Sequence, residues 1–267
     1  MKRRDPAAVA LSIWTTLVLL FLFFPLVVVA LFSFNASTIS RFPLQGFTFR
    51  WYAKLFADRA IIEALWNSVI VALSTVAIST TLGVLAAVGI HRYGGSFAGA
   101  MRGFALMPMM VPRLIIGIAL LTFYDLFKTN LSLLTVIGGH VVMTLPYVIM
   151  IVSARLVGFD KSTEEAAWDL GASTFTVFRE ITLPFLKPAL IAATLMSFTL
   201  SFDEVVVTFF TTGNANTLPM VIWSMLRFGI TPEVNAIATI TIFSSGLFAI
   251  AAELSLRRAR DLSQLPT

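Results

Sequence analysis

Long uncharged apolar runs, separated by short polar stretches, set the rhythm of this chain. The runs from Ala7 to Phe34 and from Ala64 to Ile90 carry no charge. The run from Gly103 to Phe123 carries only Arg113, and that from Thr129 to Ala154 is interrupted only by His140. A fifth run starts at Pro188, reaches Phe202 and continues past Asp203 and Glu204; the last extends from Val234 to Ala252. A helix needs about 20 mostly apolar residues to cross the hydrocarbon core of a bilayer. The pattern therefore predicts an all-α polytopic membrane protein with six transmembrane helices, over about 9–33, 65–90, 103–124, 131–154, 188–210 and 234–254. A shorter apolar stretch from Thr217 to Phe228 is bounded by Asn214, Asn216 and Pro219 before and by Gly229 and Pro232 after. Its length suits an interfacial or re-entrant helix better than a span. Lys2, Arg3 and Arg4 precede the first run, whose length exceeds that of a signal-peptide core, so it reads as an uncleaved anchor.

Composition narrows the class. Of 267 residues, 58% are hydrophobic and 12% charged, about half the charge of a soluble domain. A soluble enzyme and a nucleic-acid-binding domain are excluded on these grounds, and membrane lipid is the expected surrounding. The net charge of +5 comes from basic residues scattered at segment ends and not from a clustered patch. With no cysteine, disulfides, iron–sulfur clusters and cysteine-based zinc sites are excluded.

Lysine and arginine bias sets orientation. With a cytoplasmic N-terminus, the inner side holds Lys2, Arg3, Arg4, Arg92, Arg102, Arg155, Lys161, Arg179, Lys187, Arg257, Arg258 and Arg260. The outer side then holds Arg41, Arg50, Lys54, Arg59, Lys128 and Arg227, and Arg113 stays within a span. Both termini are thus expected in the cytoplasm, which requires an even number of spans. The outer loop from Asn35 to Glu63 contains Gly46-Phe47-Thr48-Phe49-Arg50-Trp51-Tyr52, whose aromatics suit either an interface belt or a docking surface.

The inner loop between the fourth and fifth spans, about 155–187, concentrates Asp160, Glu164, Glu165, Asp169 and Glu180. Ser162 followed by Glu165 has the spacing of a capping box. A helix is predicted from Thr163 to Leu170, stopping at Gly171, then a second from Thr174 to Ile181, stopping before Pro184. Such a compact helix–turn–helix held at the membrane is shaped to press into a groove on a cytoplasmic partner.

Within this loop, Glu165-Ala166-Ala167, Gly171, Ile181 and Leu183-Pro184 match every fixed position of the EAA signature of ABC-importer permeases; Asp169 lies between the first two groups. The chain is identified on these residues as resembling that family. The stretches Gly46 to Tyr52, Ser201-Phe202-Asp203-Glu204-Val205-Val206-Val207, Thr217-Leu218-Pro219 and Pro232 to Ala236 resemble its spermidine/putrescine branch. The likeness runs from about Trp14 to Arg257. It implies the permease fold of type I ABC importers, in which the loop's first helix couples the membrane segments to a separate ATPase. It also implies two copies of that ATPase, a second and related permease, and an extracytoplasmic solute-binding protein. ATP and magnesium would belong to the ATPase, since this chain holds no G-x-x-x-x-G-K-[ST] phosphate loop. The expected setting is a bacterial inner membrane, and the expected solute a polyamine, an opine or another small organic molecule.

Charges inside spans are costly and usually face a cavity or a partner. Asp203 and Glu204 are neighbours, about 100° apart on a helix, so both cannot line one narrow stripe. Counted along straight helices, Arg113 lies ~15 Å from Gly103 and Asp203 ~21 Å from Ala189. The carboxylates could receive an organic cation or could cap or bridge a helix end. Arg113 follows Pro112 and departs from the polyamine permeases, to which the resemblance assigns an acidic residue here. It could pair with Asp203 or Glu204, bind a carboxylate on the solute, or contact a partner subunit. His140 suits a hydrogen-bonded packing role or a proton or ligand role, His91 an interfacial one, and Gly83, Ala86 and Ala87 suit close helix contact. A membrane enzyme would need a Ser/His pair, acids on two spans or a metal-ligating cluster, and a stand-alone transporter would lack the loop.

Overall fold

The computed structural model describes residues 6–244, 246 and 247. In chain order the helices are α1 (Pro6–Ser33), α2 (Arg50–Ala57), α3 (Arg59–Tyr93), α4 (Ala98–Leu106), α5 (Arg113–Leu126) and α6 (Leu133–Leu156). There follow α7 (Lys161–Asp169), α8 (Thr174–Val177), α9 (Leu183–Phe202), α10 (Val206–Thr211), α11 (Leu218–Arg227) and α12 (residues 232–244). Strand pairing among the described residues is confined to an isolated bridge, Asn35 to Phe47. The chain divides into two compact units: Met1–Ile62 with Ile222–Ser245, and Glu63–Val221 with Gly246–Thr267.

In the first unit, α1 is apolar all round and exposed from residue 7 to 27, as suits a helix surrounded by lipid. The loop after it is folded. Ala36 N–H donates to the Gly46 carbonyl, Thr48 N–H donates to that of Phe34, and Trp51 Nε1 donates to that of Asn35. Trp51 is thereby buried in its own unit, whereas Phe47 and Phe49 remain exposed. Lys54 pairs with Glu233 at 2.8 Å and Asn235 donates to Ser40 Oγ, tying α2 and the loop to the start of α12.

The second unit is organised around α6. Val84, Ala87 and Val88 of α3 and Leu186 and Ala193 of α9 close on Val148, Ile149 and Val152 of α6. Ile116 of α5 and Val207 of α10 close on Met143, farther along the same helix. Gly83 lets α3 approach α6: a Cβ there would stand 2.5 Å from Val148 Cγ1. The close contact expected of Gly83 and Ala87 is present.

Four described helices are long and apolar enough to cross a membrane: Ala7–Ser33, Arg59–Tyr93, Leu133–Leu156 and Thr174–Phe202. The third expected span departs from a straight rod. It is a helix pair, Gly95–Met110 and Arg113–Leu126, bent by 98°. Pro112 removes a backbone donor, and its ring forces Val111 into extended backbone (φ −85°, ψ 127°). A depth counted along one straight axis therefore does not apply to Arg113, which opens α5. The fifth expected span also breaks, with α9 ending at Phe202 and α10 beginning at Val206.

Two further corrections concern the inner loop. The cap of α7 is Asp160, whose carboxylate accepts the Ser162 N–H at 3.0 Å, and not Ser162 with Glu165. The second loop helix does not stop before Pro184. It passes through a π-turn, Phe178–Thr182, directly into α9. The wider turn absorbs the donor that Pro184 lacks, with Leu183 N–H reaching the Phe178 carbonyl. The last expected span is helical over residues 232–244 and again at 246 and 247; residues 245 and 248–254, Lys2, Arg3, Arg4, Arg257, Arg258 and Arg260 lie outside the described residues.

Substituting Gly83 tests the α3–α6 contact. Gly83→Ala should destabilise by about 1–3 kcal/mol through overpacking against Val148. Gly89→Ala, which meets nothing within 4 Å, should be neutral or stabilise by about 0.5–1 kcal/mol. Thermal unfolding in detergent should fall for Gly83→Ala and stay unchanged or rise for Gly89→Ala.

Candidate translocation site and coupling loop

The two helix breaks of the second unit meet. Arg113, the first residue of α5, places Nη1 2.9 Å from Oε2 of Glu204 in the α9–α10 break. The contact is an ion pair and not an aligned hydrogen bond. Glu204 Oε1 accepts the Val207 N–H at 2.9 Å, and its carbonyl accepts from Thr208 Oγ1. The carboxylate thus caps α10 and neutralises a cation that would otherwise stand alone at the start of α5, where the helix dipole disfavours it. The Glu204 side chain is fully buried, while that of Arg113 is 46% exposed. Asp203, next along the chain, is exposed. Adjacent acids do face apart, and Glu204, not Asp203, is the partner of Arg113.

His140 fastens this break to α6. Its Nδ1 lies 2.8 Å from Ser201 Oγ at the end of α9, and its Nε2 lies 2.8 Å from Thr208 Oγ1 in α10. Thr208 spends its only proton on the Glu204 carbonyl, so it must accept from the ring. Nε2 therefore carries hydrogen, and in the neutral ring Nδ1 accepts from Ser201. With both nitrogens bonded and 1% exposure, His140 is a satisfied buried histidine bridging three helices. Each of its partners is a hydroxyl residue that sequence reading passed over, because Ser and Thr are ordinary in apolar helices.

On the inner loop, α7 ends in a complete Schellman motif. Gly171 adopts φ +85°, its N–H bonds the Trp168 carbonyl, and Ala172 N–H bonds that of Ala167. Ser173 then caps α8 by accepting the Thr176 N–H. Hydrogen bonds from the Ser162 side chain and backbone hold the Asp160 carboxyl below its ordinary pKa. Glu165, Ala166, Asp169 and Gly171 lie on an open face with Leu170 and Phe175; Ala167, Ile181 and Leu183 are half-buried, and Pro184 is exposed. Glu164, one residue before the signature, turns inward and is 4% exposed. It meets Arg92 at the end of α3 and Thr182 in the π-turn. Arg92 had figured only as an orienting charge, since a pairing 72 residues apart leaves no mark in the chain.

Residues 79–260 match the family described as "Binding-protein-dependent transport system inner membrane component". The chain belongs to this family. The permease is 38% identical over 245 residues to the spermidine/putrescine transport system permease protein PotC of Escherichia coli strain K12, covering 91% of this chain and 92% of that one. It is 36% identical over 262 residues to the putrescine transport system permease protein PotI of the same strain, covering 93% and 92%. In fold it is similar to a chain of a bacterial ABC transporter involved in the import of the acidic polysaccharide alginate. That likeness has a TM-score of 0.74 at 15% identity, covering 98% of this chain and 97% of that one. A chain of the MetNI methionine ABC transporter gives 0.61 at 19% identity, covering 79% and 99%. The permease is accordingly a multi-pass, inner-membrane component of a binding-protein-dependent ABC importer.

The ion pair predicts a distinctive stability pattern. Arg113→Ala leaves the Glu204 carboxylate buried without its counter-charge and should cost about 1–3 kcal/mol. This is less than the loss at a wholly buried pair, because the Arg113 side chain is 46% exposed. Arg113→Ala combined with Glu204→Gln should recover part of that loss in detergent unfolding.

Proposed function

We propose that the permease carries a polyamine of the spermidine/putrescine type from an extracytoplasmic binding protein into the cytoplasm by alternating access. The relatives PotC and PotI, each matched over more than nine-tenths of its length, carry this reading of the solute. Two copies of a separate ATPase supply the energy and hold ATP and magnesium. The open face of α7 docks on one of them. A second, related permease covers the apolar surface around Arg113, a half-exposed cation that lipid would not tolerate. Both termini lie on the cytoplasmic side, as the lysine and arginine bias favours.

Coupling then works through shape. The Schellman turn at Gly171 fixes the angle between α7 and the helix that follows, and that helix continues unbroken into α9. A push on α7 reaches the break at Asp203–Val205 along a single helical path. There Glu204 is already neutralised by Arg113, which leaves exposed Asp203 as the carboxylate available to an ammonium group.

Arg113 favours a second reading. Nearly half of its side chain is open, so a carboxylate-bearing solute such as an opine could pair with it.

Reconstitution with the partner subunits and the binding protein tests both. Uptake of radiolabelled spermidine or putrescine, uncompeted by opines, is expected; uptake of opines alone would transfer the assignment to the second reading. Gly171→Val, with a β-branched residue forced into left-handed backbone, should abolish transport and stimulated ATP hydrolysis. Solute affinity of the binding protein should stay unchanged. Normal ATPase stimulation in that variant would remove α7 from the coupling role.

A further inference from the structure

We propose that Arg92, Glu164 and Thr182 form a clamp that makes α7, the inner end of α3 and the base of α9 move as one rigid body during transport. The inference rests on the reading of α7 as the coupling helix. Three observations lead to it. Glu164 is buried although most residues of its short helix are exposed. The Arg92 side chain is 11% exposed, and its Nη2 donates both to Glu164 Oε1 and, at 2.8 Å, to Thr182 Oγ1. Thr182 Oγ1 donates in turn to the same carboxylate oxygen. Three segments far apart in sequence thus share one node.

A buried charge pair is held together by the cost of exposing either partner alone. The Thr182 hydroxyl adds two further bonds, accepting from Arg92 and donating to Glu164, so each of the three side chains is bonded to the other two. The π-turn has a part in this. One extra residue in a turn advances the helix phase by about 100°, and that advance decides that Thr182 faces Glu164. Of the two adjacent acids, Glu165 belongs to the open face and Glu164 to the clamp. Without the clamp, force on α7 would reach the membrane only through the ends of its own loop. With it, the force enters α3 directly.

The chain has no cysteine, which makes a covalent substitute for the clamp a clean test. Arg92→Cys/Glu164→Cys is assembled with a cysteine-free ATPase, second permease and binding protein in liposomes. Transport and ATP hydrolysis are then measured before and after a short, reducible bis-thiosulfonate cross-linker. Before cross-linking, solute moved per ATP should fall about tenfold. Cross-linking should restore most of it, and reductant should remove it again. Wild-type coupling without the cross-link, or a further loss on cross-linking, overturns the clamp. Should this double variant fail to fold, Thr182→Val keeps the volume and deletes the shared hydroxyl. It should lower solute per ATP about threefold, and an unchanged ratio overturns the clamp. Gly171→Val run in parallel separates two failures. If it uncouples while the clamp variants do not, only the clamp falls; if it does not uncouple, the role of α7 falls.

Discussion

Water is absent from the hydrocarbon core, so every backbone group freed by a broken helix must find a partner inside the protein. Among its described residues the second unit has two such breaks, at Val111-Pro112 and at Asp203–Val205, and polar side chains gather at them. Glu204 accepts the free Val207 N–H, offers its carbonyl to Thr208 and faces Arg113 across the other break. His140 holds the two sides of the α9–α10 break to α6. Pairing the breaks lets each supply what the other lacks: a carboxylate for a cation at a helix start, and a cation for a buried carboxylate. Irregular backbone within a span is tolerated only around a cavity or against protein.

The loop between α6 and α9 is organised by its turns. Gly171 supplies a tight reversal between α7 and α8, and the π-turn carries the chain past Pro184 without ending the helix. The result is a folded helix–turn–helix in place of an irregular loop. Proline, expected to stop the helix, instead changes its pitch and thereby selects which side chains face α3 and α7.

Family membership and local chemistry answer different questions. The match over residues 79–260 places the chain among binding-protein-dependent inner-membrane components. Residue 113 shows how local charges are arranged within that family fold. Arg113 is held by the fully buried Glu204, while the neighbouring Asp203 stays exposed.

Apolar run length and the position of Gly171 were enough to read helical, multi-pass architecture and the turn after α7 from the chain alone. These features are local: a span is a count of consecutive apolar residues, and a left-handed glycine announces itself after a helix. The breaks were legible only in part. Pro112 signalled an interruption, but its 98° bend depends on what α4 and α5 pack against. The choice of Glu204 over Asp203 as the partner of Arg113, the bonding of His140 by Ser201 and Thr208, and the meeting of Arg92 with Glu164 and Thr182 were settled by tertiary structure. Each joins residues tens of positions apart. Such a pairing has no period or spacing in the sequence; it exists only once packed helices bring the partners within bonding distance.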